Sequence, residues 1–212
     1  MLLVSGSTRS VSQLAGRYPE RLGHLLTPKN RNAIAALEAT CLWWAADNGC
    51  FHGLDEAAFR RMLGRVAGRP RLLWVVCPDK VADARTTLKL FDVWEPELRA
   101  AGVPVAFVGQ DGQEDLEVPW GRCDCLFVGG STRFKLSLAA ADLMHEAKAR
   151  GKRVHVGRVN SLRRMTAMMD RGADSIDGSS ASMYGDKYIH KYLRWLTHLE
   201  NQPVMFAEDG EL

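Results

Sequence analysis

Eight short apolar runs, separated by segments whose apolar residues recur at helical spacing, constrain this chain more than any other feature. The runs are residues 2–5, 24–26, 42–46, 72–77, 103–108, 125–128, 154–156 and 175–176. The middle ones are apolar at nearly every position, the pattern of parallel strands buried on both faces. Between them Phe59, Met62, Leu63 and Val66 recur at i, i+3, i+4 and i+7, as do Ala84, Thr87, Leu88 and Phe91. Leu136, Ala140, Leu143 and Ala147 form a third stripe, and Leu162, Met165 and Met169 a fourth. Ile189, Tyr192, Leu193 and Leu196 close the series. Ser131 and either Asn160 or Ser161 are placed as N-caps, and Gly151 and Gly172 stand where helices should stop. Eight strands alternating with helices predict an α/β fold, a small (β/α)8 TIM barrel, with residues 1–212 as a single domain. The alternative is an open doubly wound sheet, but no G-x-G-x-x-G follows a strand to mark a dinucleotide site.

Composition narrows the function classes. With 212 residues and 46% apolar content, the chain can bury a full core without disulfides or a metal. No run approaches the length of a membrane span, so no membrane partner is expected. The opening MLLVSGSTRS lacks the form of a secretory signal, which predicts a cytoplasmic protein. The five cysteines agree with a reducing compartment, and four of them sit in or beside apolar runs as small core residues. Cys123-Asp124-Cys125 has no second pair and no spaced histidine, so no metal site is expected. A net charge of +3 permits nucleic-acid binding without arguing for it.

In a barrel, chemistry gathers where the strands end. The third run ends in Ala46-Asp47-Asn48-Gly49, the fourth in Cys77-Pro78-Asp79 and the fifth in Gly109-Gln110-Asp111. The sixth ends in Val128-Gly129-Gly130, the seventh in Gly157-Arg158, and the eighth in Asp174-Ser175-Ile176-Asp177-Gly178. Each of these segments alone reads as turn chemistry, since Asp, Asn and Gly suit loop conformations. The set reads as a site, because turns do not require an acid so often at one end of a barrel. Paired carboxylates divide labour when one attacks and the other carries the proton, as in retaining displacement at a glycosidic carbon. A bare Gly-Gly backbone lets a flat ring approach closely. A carboxylate beside a carboxamide can read the amide edge of a guanine-like base.

At these residues the sequence resembles the tRNA-guanine transglycosylase superfamily. The likeness runs in order from about Trp44 to Ser180. Asp47-Asn48-Gly49-Cys50-Phe51 is similar to the family's Asp-Ser-Gly-Gly-Phe motif, and Val76-Cys77-Pro78-Asp79 to its strand ending in a base-contacting Asp. Val108-Gly109-Gln110-Asp111-Gly112 resembles its Gln-Gly segment, and Val128-Gly129-Gly130-Ser131 its Gly-Gly-Leu segment. His155-Val156-Gly157-Arg158 through Gly172-Ala173-Asp174-Ser175-Ile176-Asp177 resembles the Gly-Val-Gly, helix, Gly-x-Asp-x-x-Asp series.

The resemblance implies that Asp177 is the nucleophile and Asp47 the general acid/base, with Asp79, Gln110, Gly129 and Gly130 holding the base. It implies exchange of guanine for a 7-deazaguanine through a covalent glycosyl-enzyme, with no cofactor and with nucleic acid as partner. The family's C-x-C-x-x-C…His zinc subdomain is missing, since no cysteine follows Cys125. The chain is also shorter than the tRNA enzymes. The likeness is therefore to the compact phage-type branch, with DNA favoured over tRNA. A hydrolase of nucleosides or glycosides using the same acids, and a barrel that binds a base or nucleic acid without chemistry, stay open as alternatives.

Other residues are less specific. Arg158, Arg163 and Arg164 near the seventh strand end, with Ser179, Ser180 and Ser182 after the eighth, admit a backbone phosphate contact. Lys29 and Arg31 read as a solvated face, and His52 as a loop histidine. His155 is expected to pack inside the barrel. Tyr184, Tyr188, Tyr192 and Trp195, at helical spacing, are expected to pack in the core.

Overall fold

The apolar runs become strands because their β-branched, aromatic and aliphatic side chains find cover on both faces. The computed structural model describes residues 1–29 and 34–201. Its strands are β1 (Leu2–Ser5), β2 (Leu22–Leu26), β3 (Trp43–Ala46), β4 (Leu72–Val76), β5 (Val105–Gly109), β6 (Cys125–Val128), β7 (Arg153–Val156) and β8 (Ser175–Asp177). Each pairs in parallel with the next, and β8 returns to β1 through Leu3 opposite Ile176 and Val4 opposite Asp177. The sheet is therefore closed. The fold is the expected small (β/α)8 barrel, not an open sheet.

Helices fill the crossovers: α1 (Thr8–Leu14), α2 (Ile34–Glu38), α3 (Glu56–Val66), α4 (Ala84–Ala100), α5 (Thr132–Leu136), α6 (Leu138–Ala149), α7 (Leu162–Asp170), α8 (Ser179–Tyr184) and α9 (Asp186–Glu200). Strand side chains alternate between two cores. Val4, Ala45, Trp74, Val108 and Phe127 belong to the cluster inside the barrel. Leu3, Trp44, Val75, Phe107 and Leu126 face outward and pack under the helices. Between β3 and β4 the register slips, with Trp44 opposite Leu72 but Ala46 opposite Val75. The extra residue in β4 is a bulge, and it lets the successive Leu73 and Trp74 both join the inner cluster.

Local signals held where capping chemistry was explicit. Ser131 and Ser161 cap α5 and α7, accepting from the N–H groups of Phe134 and Arg164. Gly151 and Gly172 take left-handed φ values of 68° and 80° after α6 and α7. The stripe from Leu136 to Ala147 is not one helix. Ser137 interrupts it at ψ 163°, and its side chain caps α6 by accepting from Ala140 N–H. The helices α1, α2 and α8 are only 7, 5 and 6 residues long, too short to show a periodic stripe; α1 buries only Ser10 and Val11.

The last aromatic stripe is mixed: Tyr192 is buried, whereas Tyr184 is 62% exposed. Cys50, Cys77, Cys123 and Cys125 are buried free thiols, and Cys41 is exposed. Among the described residues no helix is long and apolar enough to cross a membrane.

Candidate active site

Because all eight strands run the same way, their C-terminal ends share one rim, and residues far apart in sequence meet there. Asp47, Asp79, Gln110, Gly129, Gly130, Arg158 and Asp177 all line a single pocket at that rim. Val76, Val108 and Phe127 supply its apolar wall. Its volume is about 100 Å³. That is room for one small ring system, well short of the several hundred Å³ that enclose a larger ligand. A broader depression beside Trp120 and Leu143 also gathers Gln113, Glu114, Glu117, Asp142 and Glu146, but these come from α6 and the segment between β5 and β6, not from the converging strand ends.

Asp177 closes β8, buried to 8% exposure. Its Oδ1 accepts the backbone N–H of Arg158 at 2.9 Å, and its Oδ2 lies 3.1 Å from His155 Nε2. The same imidazole meets Ser175 Oγ at 2.8 Å through Nδ1. A proton on Nε2 lets the ring donate to the carboxylate while Nδ1 accepts from the serine hydroxyl. The rings of Trp74 and Phe127, each with its centroid 4.7 Å from the imidazole, fix its plane. His155 thus packs inside the barrel as expected, but it also orients Asp177. Arg158 holds its N–H in place from a left-handed backbone at φ 56°, a conformation that costs a non-glycine residue about 1 kcal/mol or more.

Asp47 follows β3 and accepts the N–H of Gly49 at 3.0 Å. Burial pushes its carboxyl up to about 6; the Gly49 hydrogen bond opposes the shift, and the charges of Asp177 and Asp79 add to it. Asp79 sits between two amides. Its Oδ1 accepts from Asn48 Nδ2 at 2.7 Å and its Oδ2 from Gln110 Nε2 at 2.5 Å. Burial nevertheless holds it above the usual carboxylate range, against both hydrogen bonds.

Gln110 is itself clamped, since its Oε1 accepts from Ala82 N–H at 2.9 Å. One N–H of its amide remains uncommitted in this network. The two glycines are required by their own neighbours. A Cβ on Gly129 would stand 2.8 Å from Val108 Cγ1 and 2.9 Å from Gln110 Nε2. Gly130 has φ 73°, and a Cβ there would meet Asp111 Oδ2 at 2.5 Å. Asp111 is occupied in turn by the N–H and hydroxyl of Ser131, so it ties the β5 and β6 loops together.

Comparisons with known proteins bear on the fold alone. No family model and no curated protein matches the chain in sequence. Among solved structures it is similar to the HpcH/HpaI aldolase from Desulfitobacterium hafniense, at 10% identity and TM-score 0.51, covering 96% of this chain and 93% of that one. It is also similar to a chain of the Amycolatopsis orientalis BexX/CysO complex, at 16% identity and TM-score 0.55, covering 100% of this chain and 93% of that one. The chain is a (β/α)8 barrel of that general architecture.

Three pocket residues were given no role of their own by the sequence, although Asn48 and Phe51 lie in the segment that resembles a family motif. Asn48 reads as part of a turn, yet it is 3% exposed and bonds both Asp79 and the Cys77 carbonyl. Lys135 lies on α5 and reaches the Gly157 carbonyl at 2.7 Å. Phe51 lies 4.3 Å under the guanidinium of Arg158. One expected rim acid is elsewhere. Asp174 precedes β8 at the opposite face, where it accepts from Lys148 Nζ and Val154 N–H. Lys29 is exposed, Arg31 lies outside the described residues, and so does the side chain of His52. Among the described residues no three His, Cys, Asp or Glu side chains form a metal-holding group.

The rim also depends on Gly178, directly after Asp177. A Cβ there would fall 2.1 Å from the Tyr192 hydroxyl, which is buried and bonds the Val159 carbonyl at 2.7 Å. Gly178→Ala is expected to destabilise the protein by about 2–3 kcal/mol, lowering Tm by roughly 5–10 °C. Thermal unfolding followed by circular dichroism checks this; an unchanged Tm would mean Tyr192 moves aside freely.

Proposed function

We propose that the protein is a base-exchanging pentosyltransferase that replaces guanine in nucleic acid, with DNA the favoured polymer, by a 7-deazaguanine. One observation carries the reading. Two carboxylates from distant strands share one pocket in unlike surroundings, Asp177 held by a fixed N–H and an imidazole, Asp47 pushed up to about 6 by burial.

In the first half-reaction an Asp177 oxygen bonds the anomeric carbon as the C–N bond to guanine breaks, its electron pair leaving with the base. Asp47 gives that base a proton. In the second half-reaction the incoming base gives its proton to Asp47. Its nitrogen then displaces Asp177, and both acids return to their starting states. A group near 6 suits a residue that must donate and then accept around neutral pH. Asp79 and Gln110 line the pocket, and a carboxylate beside a carboxamide offers an acceptor and a donor to a base edge. DNA is favoured because β8 runs directly into α8 and α9, with none of the cysteines of the tRNA enzymes' zinc subdomain.

The test is incorporation of a labelled 7-deazaguanine into duplex DNA, single-stranded DNA and tRNA at stated salt. Label entering DNA, with one guanine released per base incorporated, is the expected result. Label in tRNA alone would move the substrate. Guanine released without incorporation would make the protein a hydrolase, and a folded protein inert on all three would overturn the reading.

A further inference from the structure

A second depression adjoins the acidic pocket and has the opposite charge. Lys135, Arg158, Asn160, Arg164 and Ser179 line it, and no Asp or Glu does. It shares Gly130, Lys135 and Arg158 with the acidic pocket, so the two form one continuous groove at the rim. Its volume is about 430 Å³, enough for the part of a ligand that the smaller pocket cannot hold.

Lys135 is the informative residue. It is 4% exposed, yet among the described residues no carboxylate lies within ion-pairing distance of its ammonium. Its one hydrogen bond goes to the Gly157 carbonyl, which leaves further donors pointing elsewhere. Surface cations such as Arg99, Arg122 and Lys148 are by contrast each paired with an acid. A buried charge without a counter-ion is costly, and because Lys135 lines the hollow its free donors are open to an anion there. Burial and the neighbouring Arg158 push the Lys135 amine down to about 8, with Asp177 opposing, so most of it is still protonated at pH 7.

The other walls point the same way. Arg164 spends its hydrogen bonds on Ser161 Oγ and the Arg158 carbonyl, with no acid. Ser179 Oγ accepts from Asn160 Nδ2 at 2.8 Å, so its own hydrogen is left to donate. Three cations and a hydroxyl around one hollow suit a tetrahedral oxyanion with several acceptor oxygens.

We infer that this depression binds the phosphate of the nucleotide whose base enters the acidic pocket. The nucleotide rests on the base-exchange reading, whereas the phosphate preference stands on the charges alone. Lys135 and Arg164 are then phosphate ligands, beside Arg158.

The test uses 2-deoxyribose 5-phosphate and 2-deoxyribose as probes in titration calorimetry on the full chain. The wild type should bind the phosphorylated sugar at least about tenfold more tightly, and Arg164→Gln should lose about tenfold for that probe only. Lys135→Met should do the same, and Arg164→Gln, a partly exposed change, keeps the test valid should the lysine variant unfold. Equal affinity for the two sugars, or a phosphate preference unchanged in folded Arg164→Gln, would overturn the site. Neither probe carries a base, so failure of base exchange leaves this result standing, and the converse holds too. An oligodeoxynucleotide arm separates the sources. A salt slope that falls by about one in Arg164→Gln assigns the site to the polymer backbone. An unchanged slope, with phosphate preference kept for dGMP over deoxyguanosine, assigns it to a free nucleotide.

Discussion

Asp177→Asn is expected to lower base exchange by roughly 10⁴-fold or more while the barrel stays folded. The variant keeps an oxygen to accept the Arg158 N–H, the bond that the wild-type carboxylate makes at 2.9 Å. Its amide can still meet His155 and fill the same volume, so the cost falls on chemistry. An amide cannot form the ester to the anomeric carbon that retaining displacement needs. Two measurements separate the role from a folding defect. Circular dichroism and Tm should match the wild type to within a few degrees. Mass spectrometry of denatured wild type, trapped with nucleic acid in the absence of incoming base, should show a glycosyl adduct that the variant lacks. Exchange within tenfold of wild type in a folded Asp177→Asn protein would remove this residue as nucleophile.

Asp47→Asn should give the unusual pair of a less active and more stable protein. As acid and then base, Asp47 is expected to contribute about 10²–10⁴-fold in rate. Guanine release by the wild type should fall as pH rises above about 6, where Asp47 loses its proton, and the variant should lack that limb.

The stability sign runs the other way. A carboxyl that titrates near 3.8 in the unfolded chain and near 6 in the fold binds its proton more tightly when folded. Its stabilising contribution is complete below about 3.8 and is lost as pH rises through about 6. At pH 8 the ionised group would cost up to about 3 kcal/mol. Asp47 is only half-buried, and solvent screening brings the expected gain on replacement to about 1–2 kcal/mol. Denaturant titrations of both proteins at pH 5 and pH 8 check it. A gain at pH 8 that shrinks at pH 5 is the expected pattern, and a loss of stability at pH 8 would mean the carboxylate makes contacts that favour its ionised form.

Stability and function are opposed at this rim. Asp79 is held above its usual range by burial, Lys135 is buried without a counter-ion, and Arg158 sits in a left-handed backbone. Each is a local cost that the two hydrophobic layers of the barrel carry. The outer layer alone includes Trp44, Phe59, Phe91, Phe107 and Tyr192, all nearly inaccessible to water.

How much of this was legible beforehand depended on the range of the interaction. The runs at 2–5 and 125–128 match β1 and β6 because a strand buried on both faces is apolar at successive positions, a property of neighbours in sequence. Ser131, and a cap at either Asn160 or Ser161, were readable because a cap acts over three residues; the fold selects Ser161. The break at Ser137 was hidden, since apolar spacing continues across it. His155 was read as a core residue and is one; its hydrogen bond to Asp177, 22 residues away, depends on the β7–β8 register.

Local periodicity in the sequence thus determined eight strands, the longer helical crossovers between them and the acids and glycines at the strand ends. Only the tertiary structure decided that β8 closes on β1, because closure depends on strand tilt and register summed around the barrel. Closure is what sets Asp47, Asp79 and Asp177 around one small pocket and raises the Asp47 carboxyl, since desolvation belongs to the assembled rim and to no single segment. It also decided that Asp174 would point to the far face and that Lys135, in a helix with no distinguishing pattern, would lie buried where acidic pocket and cationic hollow meet.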